Sequence, residues 1–234
     1  MTSYSINKTR TWKGRHAGRI LRLEKAMQSC RIKHPFVVEI GPGAIAKKLA
    51  HLYPQVDEEN RNFMDKKIHQ AVAVIESRAR DDPKSELITY ETQEIYEMLQ
   101  KNGGFSRYLV LDNNQRVLDA IKNQGLENVE TLNWDIEKRL LVEEIKPIRA
   151  DIVIAWKVLE YCGRSYCAAL SNMLKIPKDN GIISLTIPEG QERQLNGYAN
   201  TDLGTYVRKP NMFRPAPLDY ERIARISISG SAGR

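Results

Sequence analysis

Cysteine is scarce in this chain. Cys30, Cys162 and Cys167 are the only three in 234 residues. They are too few and too unevenly spaced for a disulfide framework or a cysteine-based zinc site. Long apolar runs are missing as well, and none approaches the roughly 18 residues that a membrane span needs. The opening stretch MTSYSINKTRTWKGRHAGR has no apolar core and does not read as a secretory signal. These absences point to a cytoplasmic protein with no membrane span. No internal repeat, Ser-His-Asp arrangement or metal-ligating cluster is evident, and the lack of the last two agrees with a mechanism of proximity.

Acids are nearly absent from one end only. Residues 1 to 35 hold nine Lys/Arg against the single acid Glu24, a net +8, so the remainder of a chain of net +7 carries −1. The basicity belongs to an N-terminal arm, which can meet phosphates or an acidic surface. Within it, Ile20, Leu21, Leu23, Ala26 and Met27 fall at helical spacing between Ala17 and Cys30. The chain is therefore read as an arm and helix over 1–34, followed by a domain over 35–234.

That domain alternates strands with helices. PFVVEIGPGAIAKKLA (35–50) reads as a strand over Phe36 to Ile40, a turn over Gly41 to Gly43, and a helix from Ala44 to Leu52. Residues 57–104 then show no convincing strand. They carry helical spacing at Ile68, Ala71, Val72, Ile75 and Ala79, and after Asp82-Pro83 at Ile88, Thr92, Ile95 and Leu99. This segment, with eleven acids against seven Lys/Arg, reads as an inserted helical hairpin. Strands are expected again at 107–112, 129–135, 150–156 and 181–187, with helices at 114–125 and 165–176. The tail reads as a loop to about Thr205, with RIARISIS as a final edge strand. The fold class is thus α/β, a doubly wound and mostly parallel sheet with helices on both faces, plus the N-terminal helix and the insertion.

Ligands of such sheets bind beyond the carboxyl ends of the strands. Here the first strand ends in Glu39 and the glycine turn, the second in Asp112 and Asn113, the third in Asn133-Trp134-Asp135-Ile136, and the fourth in Trp156-Lys157. GPGAIA fits the dinucleotide fingerprint G-x-G-x-x-A. A pyrophosphate, however, is a poor match for an acid two residues before the first glycine. The acid that should follow by about 20 residues is Asp112, which stands 71 residues after Gly41. A ligand with a sulfonium, an amine, a ribose diol and an adenine suits a carboxylate collar better.

On these strand ends the chain resembles the class I S-adenosylmethionine-dependent methyltransferases, over roughly residues 35–190. VVEIGPG resembles the family's first motif, and DIVIAWKVLEY its fourth, beside the methyl group and the acceptor. The resemblance implies S-adenosyl-L-methionine as cofactor. It implies binding roles for Glu39, Gly41, Gly43, Asp112, Asn113, Asp135, Ile136 and Trp156, with Asp112 on the ribose hydroxyls and Asp135 near the adenine amine. Lys157, Tyr161 and Cys162 fall where an acceptor would sit, so Tyr161 and Lys157 are the catalytic candidates. The family often has a third glycine where this chain has Ile45. No N-P-P-Y string follows the fourth strand and no RNA-binding module is appended. The expected acceptor is therefore a small molecule. The basic residues 1–34 leave room for an RNA or protein acceptor. An NAD-binding oxidoreductase and a non-catalytic methyltransferase-like scaffold are the alternatives from other classes.

Overall fold

The computed structural model describes residues 17–47, 78, 82–138, 148–156, 158–186, 198–202 and 205–208. Its centre is a seven-stranded sheet in the order β5-β4-β1-β6-β7-β9-β8. These strands are β1 (Phe36–Ile40), β4 (Arg107–Asp112), β5 (Val129–Asn133), β6 (Ala150–Ala155), β7 (Pro177–Leu185), β8 (Tyr198–Asp202) and β9 (Thr205–Arg208). The first five in spatial order are parallel, and β9 and β8 close the sheet as an antiparallel hairpin against β7. Sequential order reverses at β1, between β4 and β6, and that is the crevice where open α/β sheets take their ligands.

Apolar residues on both sides of the parallel strands sort into two layers by the two-residue period of a strand. On one face Val37, Tyr108, Val110, Ile152, Ile154 and Ile182 meet Leu23 and Met27 of α1 (Ala17–Ser29). They also meet Ile95 and Leu99 of α2 (Tyr90–Lys101) and Val117 and Ile121 of α3 (Gln115–Asn123). On the other, Val38, Ile40, Leu109, Leu111, Val153 and Ile183 meet Ala169, Leu170 and Met173 of α4 (Tyr166–Met173). Asn114 caps α3 by accepting the Arg116 N–H at 3.0 Å, satisfying one of the orphan donors of its first turn.

Four sequence expectations need correction. Of the helix expected over Ala44 to Leu52, the first residues, Ala44 to Ala46, are not helical; Lys47 enters a 3-10 turn and 48–52 lie outside the described residues. Ile45–Ala46 form β2, which pairs antiparallel with β3 (Leu87–Ile88), and Lys47 N–H extends the ladder to the Glu86 carbonyl at 2.8 Å. The 57–104 segment accordingly contains a strand, and Ile88 lies in it rather than in a helix. The tail forms the β8–β9 hairpin in place of the expected loop, because pairing with β7 outweighs the Asn- and Gly-rich composition of these residues. β7 begins at Pro177, before the expected start at Gly181. Its register with β6 shifts between Ala150 and Ile152, and a Cβ on Gly181 would lie 2.9 Å from the Lys178 carbonyl oxygen. Residues 1–16, 48–77, Lys157 and RIARISIS, with the readings attached to them, lie outside the described residues.

The segment from Asp82 to Thr89 is fastened along α3 at both ends. Arg116 Nη2 donates to the Asp82 and Ser85 carbonyls, each at 2.8 Å. Thr89 Oγ1 donates to Gln124 Oε1 and Gln124 Nε2 returns a bond to the Thr89 carbonyl, each at 3.1 Å. With the β2–β3 pair, these bonds hold the two ends of the 48–81 segment together. Among the described residues, no helix is long and apolar enough to cross a membrane.

Candidate functional site

The carboxyl ends of β5, β4, β1 and β6 meet on one rim. Gly41 N–H reaches the Leu111 carbonyl at 2.8 Å, which ties the end of β1 to that of β4. Trp134 N–H reaches the Asp112 carbonyl at 2.9 Å, tying β4 to β5. The turn after β1 also touches the loop after β6. Gly41 has φ +62°, and a Cβ there would lie 2.8 Å from Val158 Cγ2. A side chain at 41 thus meets both a backbone cost and a steric one. Val158, which fills this contact, carries no signal in the sequence that marks it for the role.

Gly43 differs. Its backbone lies outside the left-handed region and nothing stands within 4 Å of a Cβ built on it. Gly43 is exposed, so the fold itself has no need of glycine there. A bound molecule approaching the turn would need the space. Gly43→Ala is expected to leave the thermal midpoint within about a degree, in keeping with a small surface change. It should nonetheless weaken any ligand that packs on the turn. Calorimetric titration set beside a melting curve separates the two effects.

The acids occupy distinct surroundings. Asp112 is half-buried, and its Oδ1 accepts the Asn114 N–H at 2.7 Å, which fixes the carboxylate across the top of β4. Asn113 beside it is exposed. Asp135 Oδ1 accepts the Glu137 N–H at 3.0 Å and Oδ2 lies 3.7 Å from Lys138 Nζ. Ile136 is buried in the α4 layer, with Trp134 packed partly against it. Asn172 of α4 holds this turn by donating to the Ile136 carbonyl at 2.8 Å and the Lys138 carbonyl at 3.0 Å. Cys162 is buried close to Glu137 and Asp135. Burial first, then those two acids, push its thiol up to about 11, so it stays protonated and unreactive.

Glu39 is fully buried at 0% exposure. By strand parity it shares the face of Val37, so its carboxyl enters the layer of α1, α2 and α3. Tyr108 Oη donates to Glu39 Oε2 at 2.6 Å, whereas Glu39 Oε1 has no hydrogen-bond partner. The Thr92 hydroxyl, in the first turn of α2, is near enough to favour the carboxylate form but lies outside hydrogen-bonding geometry. Burial outweighs these contacts, with Asp112 adding like charge, and Glu39 is pushed up to about 7. The phenol of Tyr108 is raised in turn by its own burial and by Glu39. Sequence reading finds Glu39 but misses Tyr108 and Thr92, whose contact with it exists only once α2 is docked.

The fourth strand's end is divided. Trp156 is 4% exposed, shares the α1–α3 layer, and donates from Nε1 to Ser184 Oγ at 2.9 Å. The Arg19 guanidinium of α1 lies 5.5 Å from its ring centroid. Tyr161, in the short 3-10 turn after β6, is 76% exposed. The structure thus gathers Gly41, Gly43, Asp112, Asn113, Asp135 and Ile136 along one rim. It sets the Glu39 carboxyl and the Trp156 ring into the layer beneath. No group of three or more His, Cys, Asp or Glu able to hold a metal occurs among the described residues.

No family model and no curated protein matches the chain. Solved structures do. The chain is 17% identical to the trans-methyltransferase CalH complexed with SAH, covering 75% of its own length and 37% of that chain, with a TM-score of 0.42. It is 11% identical to the N-methyltransferase NodS from Bradyrhizobium japonicum WM9 in complex with S-adenosyl-L-homocysteine, covering 88% and 94%, with a TM-score of 0.44. It is also 11% identical to magnesium protoporphyrin IX methyltransferase (ChlM) from Synechocystis PCC 6803 with bound SAM, covering 89% and 87%, with a TM-score of 0.47. At these identities and scores the likenesses identify neither a substrate nor a reaction. The chain's own sheet is more informative: five parallel strands reversing at β1, closed by an antiparallel hairpin and tipped with acids on one rim. In that architecture the chain has a Rossmann-like, doubly wound α/β fold.

Proposed function

We propose that the chain is an S-adenosylmethionine-dependent methyltransferase acting on a small-molecule acceptor. The observation that carries this reading is the rim itself, where Asp112 and Asp135 flank a glycine turn with open space at Gly43. A dinucleotide would bring its pyrophosphate to the N-terminus of a helix opening after the glycines. Ile45 and Ala46, directly after the turn, instead pair as β2 with β3, which speaks against a helix N-terminus at Gly43 itself.

Bound S-adenosylmethionine supplies a methyl group activated on a sulfonium. The chain's own residues would hold it in place. Asp112 suits the ribose hydroxyls, because its carboxylate is already oriented by Asn114. Asp135 suits the adenine amine, with Ile136 and Trp134 against the ring, and the turn at Gly41–Gly43 suits the methionine part. In-line displacement asks the protein chiefly for alignment and for exclusion of water. Tyr161 lies in the turn after β6, where an acceptor would approach, and Lys157 follows Trp156 in the sequence. A base is needed there only if the acceptor must lose a proton early.

The test is direct binding of S-adenosylhomocysteine against NAD(H). Asp112→Ala is expected to weaken S-adenosylhomocysteine about ten- to a hundredfold, the loss that follows from removing charge-assisted hydrogen bonds of about 1.5–3 kcal/mol. Tight NAD binding without S-adenosylhomocysteine binding would refute the reading. Affinity unchanged in Asp112→Ala would remove that residue from the site.

A further inference from the structure

Asn172 of α4 is an amide in an apolar layer. It is 4% exposed, and its helix neighbours Ala169, Leu170 and Met173 pack in the core. A buried amide costs free energy unless its polar atoms are bonded. Here Nδ2 donates to the Ile136 carbonyl at 2.8 Å and to the Lys138 carbonyl at 3.0 Å. Both partners are acceptors, so the nitrogen of the amide, not its oxygen, faces the turn after β5. Within that turn Lys138 N–H bonds the Asp135 carbonyl at 3.1 Å, and Glu137 N–H bonds Asp135 Oδ1 at 3.0 Å.

The Ile136 carbonyl and the Glu137 N–H belong to one peptide group. Asn172 therefore holds one side of that group and the Asp135 carboxylate meets the other. A peptide group is planar and trans, so its carbonyl and N–H point in opposite directions and turn together. Fixing the carbonyl from α4 fixes the direction in which the N–H meets Asp135. Hydrogen bonds in such a chain also polarise one another, so the bond to Ile136 strengthens the bond to Asp135. The second bond, to the Lys138 carbonyl, pins the far end of the turn. The ion pair of Asp135 with Lys138 is a weaker guide, at 3.7 Å and with the lysine 80% exposed.

From this relay we infer that Asn172 is a positioning residue for the base of the cofactor. Through the peptide between Ile136 and Glu137 it sets the Asp135 carboxylate that accepts the adenine amine, and so confers a preference for adenine over hypoxanthine. The inference rests on the methyltransferase reading, in which Asp135 takes that amine. Hypoxanthine presents a carbonyl oxygen where adenine has the amine, and a carboxylate held in place is left facing it unpaired. The neighbouring ring N–H of hypoxanthine is a donor that a loosened carboxylate can swing to and a held one cannot. Selectivity thus depends on how firmly Asp135 is held. A purely structural amide would only supply donors to two carbonyls, and its loss would weaken every ligand of the rim alike.

The experiment titrates S-adenosylhomocysteine and S-inosylhomocysteine into the full chain. Wild type is compared with Asn172→Ala, Asn172→Ser, Asp135→Ala and the variant carrying both alanines. Wild type should prefer S-adenosylhomocysteine by about tenfold or more. Asp135→Ala should bring the ratio to within about twofold. Asn172→Ala should lower it to about threefold or less, chiefly by weakening S-adenosylhomocysteine, and should lower it no further once Asp135 is alanine. Asn172→Ser keeps a hydroxyl donor and should keep an intermediate ratio, and it carries the test if Asn172→Ala does not fold. No preference in wild type, equal weakening of both ligands by the Asn172 substitutions, or an effect of Asn172 on the ratio that persists without Asp135 would each overturn the proposal. Failure of wild type to bind either ligand would instead overturn the methyltransferase reading on which it stands.

Discussion

Gly41→Ala should lower folding stability by about 2–5 kcal/mol. Two independent costs meet at this residue. A non-glycine residue at φ +62° costs about 1–2 kcal/mol. Forcing a Cβ to within 2.8 Å of Val158 Cγ2 adds an overpacking cost of about 1–3 kcal/mol. Gly125 separates them, because it has φ +66° but nothing within 4 Å of a built Cβ. Gly125→Ala should therefore show the backbone cost alone. Val158→Ala in the Gly41→Ala background should restore the steric share, appearing as favourable coupling in a double-mutant cycle. Urea unfolding gives all four values, provided the slopes agree. Equal losses in Gly41→Ala and Gly125→Ala would show that the contact between the β1 and β6 loops is not made in solution.

Glu39 should make the protein less stable as pH rises from about 4.5 to about 7. The direction follows from proton counting. The folded chain holds the Glu39 proton up to about 7, while the unfolded chain releases it near 4.5. Across that window the folded state binds more protons, so stability is fully present below it and falls through it. Raised from 4.5 to about 7, the carboxyl removes on the order of 3 kcal/mol of stability across that window. The groups facing the carboxyl are Tyr108 on β4, Thr92 in α2 and Asp112 at the end of β4, and Glu91 of α2 acts on Tyr108. None of these offers a cation.

Glu39→Gln should flatten the profile between those pH values and stabilise the protein at pH 8, while leaving it near wild type at pH 4. Its amide oxygen can still accept from Tyr108, so the packing survives. Denaturation midpoints taken at pH 4, 6 and 8 decide the matter, and a flat wild-type profile would contradict the burial argument. If Glu39 also serves the cofactor, the same substitution should gain stability and lose affinity together, a trade common at functional sites.

Much of this arrangement is legible in the sequence, and the rest has identifiable physical causes for being hidden. The parallel strands announce themselves because burial on both faces leaves short continuous apolar runs, and Asp112 and Asp135 stand out as acids closing such runs. Even the side taken by Glu39 follows from its parity with Val37. The β2–β3 pair leaves no such trace. Two residues have no period, and Ile45 meets Ile88 only across an excursion of some forty residues. Ala44 to Lys47 therefore reads as the start of a helix. The β8–β9 hairpin is hidden for a related reason, since its pairing with Ile182, Ile183 and Ser184 outweighs a composition that favours loops. Arg19 reads as a polar-face residue of an amphipathic helix. Only the direction in which α1 lies on the sheet brings it to Trp156.

The closed base of the 48–81 excursion has an evolutionary consequence. The residues on either side of 48–81 meet at one point, where Lys47 Nζ lies 2.8 Å from Glu86 Oε1 beside the β2–β3 ladder. With the ends already held together, doubling the intervening length adds only about 0.6 kcal/mol of closure entropy. Neither Asp112 nor Asp135 lies within that stretch. Descendants of this sequence could therefore lengthen, shorten or exchange the excursion while the strand-end carboxylates stay where they are, so its length should drift more freely than the spacing of any strand in the sheet.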